Sequence, residues 1–298
     1  MSNLVSLLPK VKGVYKVDAD LSKNSWFGVG GKAQVLFKPK DEDDLVNFLA
    51  NVDKDIKITI LGNCSNVIIS DEGVKGVVIK LGRGFVDMKV LDDHQELYVQ
   101  SGALCVNVSK FAAINNVGGL EFLATIPGAI GGTLAMNAGC YGKQISDVLI
   151  SAKAVDLFGN VREIEVADFG YFYRGNSLKE DLIFLSAKFR TYFEDRAKIE
   201  AKINQYIASR ANSQPIGTKT GGSTFKNPCG LKAWELIDKA GMRGFKIGGA
   251  QVSEKHCNFL ISDGSASGDD LIKLIAKIKL EVLNKCGVEL SEEIRIIK

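Results

Sequence analysis

The spacing of hydrophobic positions changes several times along the chain, and each change predicts an element. Residues 1–20 space their apolar positions as one face of a helix and then run into a loop. Ala33–Phe37 alternates like a strand. Asp41–Val52 returns to a helical period, with Leu45, Phe48 and Leu49 on one stripe and acidic residues in the first turn, where they suit the helix dipole. Strand-like runs follow at Ile58–Leu61, Val67–Ser70, Val77–Leu81, Val86–Leu91 and Glu96–Gln100, then a helix over Cys105–Asn116. Ile150–Leu157 and Val161–Val166 read as a hairpin around Phe158-Gly159-Asn160, and Leu182–Phe193 as a further strand. From about residue 194 the pattern turns helical: Asp195–Ala211 with Ile199, Ile203 and Ile207 four apart, Leu231–Ala240, and Asp269–Lys285. The last is the clearest helix, with Leu271, Leu274, Ile275, Ile278 and Val282 as its stripe, Ser267 or Asp269 as cap and Gly287 as stop. Val288–Ile297 closes the chain as a strand. Strands cluster first and helices later, which is an α+β order and not the regular alternation of a parallel nucleotide-binding sheet.

Two glycine-rich places interrupt these periods. Residues 118–142 read GGLEFLATIPGAIGGTLAMNAGCYG. Each glycine disfavours a helix by about 1 kcal/mol relative to alanine and adds nothing to strand packing, so neither element is expected there. Such a run supplies exposed backbone N–H groups and close approach to a flat, partly anionic ligand such as a dinucleotide; a structural loop between strands has the same composition. Gly62-Asn63-Cys64-Ser65-Asn66 lies between two strands, and can offer N–H groups to a phosphate or serve as a polar hairpin turn. Gly28–Ala33 fits the form of the dinucleotide fingerprint G-x-G-x-x-G/A, but it precedes a strand instead of following one, so a Rossmann domain is rejected.

Composition narrows the class. A chain of 298 residues holds about two domains. A formal net charge of +3, with no Lys/Arg block, does not support nucleic-acid binding. The N-terminal residues lack a signal peptide's features, and no apolar run approaches the ~20 residues of a membrane span. Six scattered cysteines without a CxxC pair, and two distant histidines, His94 and His256, argue against a metal site and for reduced thiols in the cytoplasm.

Eight segments resemble, in order and over nearly the whole length, the UDP-N-acetylenolpyruvoylglucosamine reductase (MurB) family. They are NSWFGVGG (24–31), LGNCSNVII (61–69), GLEFLATIPGAIGGTLAMNAGCYG (119–142), YRGNS (173–177), GGSTFKNP (221–228), AWELIDKAGMRG (233–244), GGAQVSEKHCNFL (248–260) and LSEEIRII (290–297). The compact length is similar to the shorter, type II subfamily. The resemblance implies an α+β fold: a two-lobed FAD-binding domain of the PCMH or vanillyl-alcohol-oxidase type, plus a smaller α+β substrate-binding domain. The FAD-binding domain is placed at 1–193, with lobes of about 1–80 and 81–193, the substrate domain at 194–289, and a closing strand at 290–298.

It also implies the ligands. FAD, held tightly without a covalent link, would rest on Gly62, Asn63, Ser65 and Asn66, and on Pro127, Gly128, Gly131, Gly132, Asn137, Ala138 and Gly139. The family carries glycine where Asn63 and Cys64 stand; if either position needs positive φ, asparagine tolerates it better. The implied reaction uses NADPH to reduce the enolpyruvyl ether of UDP-N-acetylglucosamine enolpyruvate in peptidoglycan precursor synthesis. Ser223 matches the family's proton donor, Glu293 its carboxylate and Arg174 its YR arginine, whose guanidinium suits a carboxylate. Glu292 leaves a one-residue alternative for the carboxylate. Tyr173, Arg210, Lys226, Asn227 and Gln251 match substrate positions. Ser213 stands close to where many members carry a basic residue, so one phosphate contact is either missing or supplied by Lys219. No metal is implied, and a monomer is expected. The rival reading is an FAD-dependent oxidase of the same fold, with Cys140 as a possible flavin tether.

Overall fold

The structure, a computed structural model, describes residues 3–298. It has two compact units. The first is built from the chain up to Lys16, Val35–Gly62 and Gly76–Arg210; the second from Val17–Gln34, Asn63–Lys75 and Ala211–Lys298.

The first unit has two cores. In one, helix α1 (Glu42–Asn51) buries Leu45, Phe48 and Leu49 against Val35, Phe37, Val77 and Ile79, the stripe expected from its period. Asp41 caps it by accepting the Asp44 N–H at 2.9 Å. The helix expected over residues 1–20 is not formed within the described residues, beyond which Met1 and Ser2 lie. A 3₁₀ turn at Asn3–Leu7 gives way to a strand, Val14–Asp20. The buried Asp44 carboxylate accounts for this: it accepts N–H bonds from Lys12 at 2.6 Å, Gly13 at 2.8 Å and Lys40 at 2.9 Å, which draws those amides away from any helical ladder.

The other core lies under a five-stranded antiparallel sheet. Its order is Val161–Glu165, Leu149–Asp156, Leu182–Arg190, Glu96–Gln100, Met88–Leu91. Leu97, Val99, Ala152 and Phe189 pack in this core with Val108 of helix α2 (Cys105–Ile114) and with Ile130 and Leu134 of helix α3 (Ile130–Met136). Helix α4 (Arg196–Ser213) departs from its expected stripe. Ile199 is buried but Ile207 is exposed. The face used within this unit is instead Lys202, Tyr206 and Arg210: Lys202 pairs with buried Glu121 at 3.4 Å, the Tyr206 ring stacks on Tyr141 at 4.4 Å, and Arg210 donates to the Thr125 carbonyl. The period of four was read correctly, but the polar members of the helix carry the contacts.

The second unit packs helices α5 (Ala233–Lys239) and α6 (Gly268–Cys286) against a small sheet of Lys246–Ile247, Ala250–Val252 and Leu260–Ser262. The α6 stripe is as expected, all buried, and Ser267 and Asp270 form a capping box. The expected closing strand is shorter: only Arg295–Ile297 is a strand, parallel to Val67–Ile69. Residues 288–294 leave the strand because the N–H groups of Glu293 and Ile294 both converge on the Thr224 carbonyl, at 2.8 and 3.2 Å.

Candidate active site and cofactor cradle

In the first unit the glycine-rich stretch contains a short helix, α3, where none was expected. Two glycines weaken it, but Ile130, Thr133 and Leu134 are buried and outweigh that cost. Asn137 ends the helix in the left-handed conformation, φ 43°. The glycine amides do not all face outward. Gly131 N–H donates to the Ser101 carbonyl at 2.9 Å and Gly132 N–H to Ala129 at 3.0 Å. What the glycines contribute is space: a Cβ on Gly132 would meet nothing within 4 Å, and one on Gly131 would crowd the Ser101 Cβ at 3.2 Å. Pro127 and Gly128, the latter at φ 112°, lead into the helix, and Gly128 accepts the Cys105 N–H at 3.1 Å. Ala138 and Gly139 continue into a tight hairpin whose turn residues, Tyr141 and Gly142, both have positive φ.

Arg174 stands at the tip of another tight turn, in which Phe172 and Gly175 exchange backbone bonds at 3.1 and 3.2 Å. Its φ of 61° is left-handed, a strain of the kind that surrounding structure must impose. Four side chains fasten this turn to the end of α3. Tyr171 OH donates to the Leu134 carbonyl at 3.0 Å, Asn176 to Ala135 at 3.0 Å, Asn137 to Phe172 at 3.3 Å, and Arg174 to Gly139 at 3.3 Å. Asn137 also accepts the Ser146 N–H at 3.0 Å, so its buried carboxamide is spent on the fold. Tyr173 is half exposed, its ring 5.0 Å from the Arg174 guanidinium carbon. Cys140 donates to the Phe122 carbonyl at 3.3 Å, lies 3.3 Å from the Thr125 hydroxyl, and burial pushes its thiol up. A thiol held protonated is a poor flavin tether.

In the second unit the segments that carry Ser223 and Glu293 run side by side. Glu293 N–H donates to the carbonyl of Thr224, the residue after Ser223, and Phe225 bridges Glu292. Glu292 is paired with Lys279 of α6 at 2.9 Å. Ser223 is partly buried. Asn66 donates to the Glu293 carbonyl at 3.1 Å and its own carbonyl accepts the Arg295 N–H at 3.1 Å. Of the turn that Gly62 opens, Cys64 takes the left-handed conformation, φ 52°, and Asn63 does not; Ser65 is buried. Gly62 itself closes a segment of the first unit and has open space where a Cβ would stand.

The substrate candidates are spread out. Arg210 is on α4, partly buried. Lys226 donates its N–H to the Ser291 carbonyl at 2.9 Å. Asn227 accepts the Ala233 N–H at 3.0 Å at the start of α5, and Gln251 donates to the Gly244 carbonyl at 3.4 Å. The Lys219 ammonium lies 3.4 Å from where side chains on Gly28 and Gly264 would begin. Sequence reasoning missed Ser101, whose hydroxyl is buried without a partner among the described residues, and the fastening roles of Tyr171 and Asn176. The last two flank the YR pair in DFGYFYRGNS, a signal visible in the chain.

Fold and site together define an FAD-binding α+β protein of the vanillyl-alcohol-oxidase type. The FAD binding domain model matches residues 33–165 and the UDP-N-acetylenolpyruvoylglucosamine reductase C-terminal domain model residues 214–297. In fold alone the chain is similar to 6-hydroxy-D-nicotine oxidase from Arthrobacter nicotinovorans, with TM-score 0.52 and 10% identity over 95% of this chain and 87% of that one. It is far more similar to UDP-N-acetylenolpyruvylglucosamine reductase (MurB) from Thermus caldophilus, with TM-score 0.84 and 26% identity over 97% of this chain and 100% of that one. The reductases of Rickettsia akari and Rickettsia typhi are each 47% identical to it, over 98% of this chain and 98% and 99% of their own lengths. The chain belongs to the UDP-N-acetylenolpyruvoylglucosamine reductase family.

Proposed function

We propose that this chain is the FAD-dependent, NADPH-consuming reductase that converts UDP-N-acetylglucosamine enolpyruvate to UDP-N-acetylmuramate. The observation that carries the reading is the 2.8 Å bond from Glu293 N–H to the Thr224 carbonyl, which holds the proton donor and the carboxylate on adjoining backbone. Family membership over the full length supports the same substrate.

The residues fit FAD. Gly62 and Gly132 leave room for a flat ligand to approach backbone, and the orphaned Ser101 hydroxyl lies beside Gly131. Gly62, Asn63, Ser65 and Asn66 would hold the pyrophosphate; Pro127, Gly128, Gly131, Gly132, Ala138 and Gly139 would line the rest, with Asn137 shaping them from beneath. When bound, FAD supplies hydride chemistry between NADPH and the vinyl group.

This chain's own residues supply the rest. Arg174, pre-aimed by its turn, holds the substrate carboxylate, where charge grows as the double bond is reduced. Ser223 delivers a proton to the carbon next to that carboxylate. A serine is a weak acid, so its efficiency depends on placement and on neighbours that polarise it. Glu293 is the second acid–base group of that pair. Tyr173, Arg210, Lys226 and Lys219 meet the sugar nucleotide, while Asn227 and Gln251 shape the loops around it. Residues 1–193 form the FAD domain and 194–289 the substrate domain, with 290–298 returning as a closing segment; the two family-model matches, 33–165 and 214–297, support this division. All six cysteines are free, as a reducing compartment allows, and no helix among the described residues is long and apolar enough to cross a membrane.

Stopped-flow kinetics test the reading. Ser223→Ala is expected to slow the substrate-reducing half-reaction by about 10²–10⁴-fold while leaving the NADPH half-reaction at the wild-type rate. Loss of both would refute the donor role, and protein that takes up no FAD would refute the function.

A further inference from the structure

Ser223 is positioned by something other than its own side chain. The residue that does so lies in SEKHCNFL, a segment with no part in the site as described. The carbonyl of Asn258 accepts the Thr224 N–H at 2.8 Å. Its carboxamide oxygen accepts the Phe225 N–H at 2.9 Å, and its carboxamide nitrogen donates to the Phe225 carbonyl at 2.9 Å. One buried side chain therefore copies a strand partner, offering both halves of a peptide group to the residue two positions after Ser223. The neighbouring Phe259 bridges Ser223 itself. On the other side Thr224 receives Glu293 and Ile294, and Asn66 holds the Glu293 carbonyl. The segment 223–225 is thus clamped between Asn258 and the chain bearing Glu293.

We propose that Asn258 is a positioning residue for proton transfer, fixing Ser223 relative to Glu293 through its paired bonds to Phe225. The inference rests on the reading of Ser223 as proton donor. The side-chain chemistry is specific. Phe225 is 1% exposed, so a lost partner leaves a buried N–H or C=O unsatisfied, and the segment gains by shifting register. Aspartate has the same shape but only acceptors; it keeps the Phe225 N–H and repels the Phe225 carbonyl. Displacement of a reacting group by about 1 Å can cost about a hundredfold in rate.

The test uses the FAD-loaded full chain. Asn258→Asp is expected to slow the substrate-reducing half-reaction by about tenfold to a hundredfold and to leave the NADPH half-reaction within about twofold. In a Ser223→Ala background the same change should add less than about twofold, because the group it positions is gone. Asn258→Ser, whose shorter hydroxyl cannot span both Phe225 groups, should slow the same half-reaction by a similar factor, and serves in place of Asn258→Asp if that variant does not fold. Equal slowing of both half-reactions, or an undiminished effect in the Ser223→Ala background, overturns the positioning role. If Ser223→Ala alone leaves substrate reduction at the wild-type rate, the Ser223 reading fails on its own, whatever Asn258→Asp does.

Discussion

The glycine-rich wall of the first unit and the Ser223–Glu293 ladder of the second solve one problem, holding reactive groups still, by different means. The wall is made of backbone in unusual conformations: Asn137 at φ 43°, Tyr141 at 52° and Arg174 at 61° are all left-handed non-glycine residues. It keeps its shape because side chains reach back to carbonyls of α3. The ladder is made of ordinary extended backbone, and two asparagines, Asn66 and Asn258, act as extra rungs. A wall of that kind exposes space for a planar ligand, at the cost of strain. A ladder gives close register and exposes little. On the proposed function, binding a flat cofactor calls for the first and aiming one proton for the second.

The contrast can be broken at the wall. Asn137→Ala removes two hydrogen bonds from a buried carboxamide and forces alanine into the left-handed region, for a loss of about 3 kcal/mol. Thermal unfolding should show Tm lower by roughly 5 °C, and Asn137→Gly should recover the strain part but not the hydrogen bonds. A smaller effect is expected at Cys64, the left-handed residue of the turn before the ladder, 4% exposed. Cys64→Gly should be more stable than Cys64→Ala by about 1 kcal/mol, since both lose the sulfur but only alanine keeps the left-handed strain; equal denaturation midpoints would show that the turn carries no such strain.

The smallest effect concerns pH on the ladder side. His256 lies next but one to Asn258, whose N–H it accepts at 3.3 Å through Nδ1. Burial, chiefly, holds its pKa below the ordinary 6.5, with the Arg243 charge acting in the same direction. The unfolded chain therefore takes up the proton first. The stability that neutral His256 contributes is present above about 6.5 and is lost as pH falls through its lower folded value. Chemical denaturation across that window should show the slope in wild type and its loss in His256→Gln; a slope that persists assigns it to another group.

Most elements were legible because their period matched their burial, as with the stripes of α1 and α6. The family was legible because the motif segments stand in order along the chain. Three errors have one cause. The helix in the glycine stretch, the strand in place of an N-terminal helix, and the polar stripe of α4 each depend on partners distant in sequence. Local propensity disfavours α3, but burial of Ile130 and Leu134 overrides it. Nothing near residue 12 announces that the Asp44 carboxylate will take its amide.

By itself the sequence determined which residue types are available: glycines without side chains, a serine and a glutamate in motif positions, an arginine after a tyrosine. The tertiary structure alone decided which glycine amides were already bonded, which of Glu292 and Glu293 was tied up by Lys279, and which asparagines served as rungs. The reason is physical. Chemistry is a property of a side chain, but availability and aim are set by the hydrogen bonds that distant backbone has already claimed.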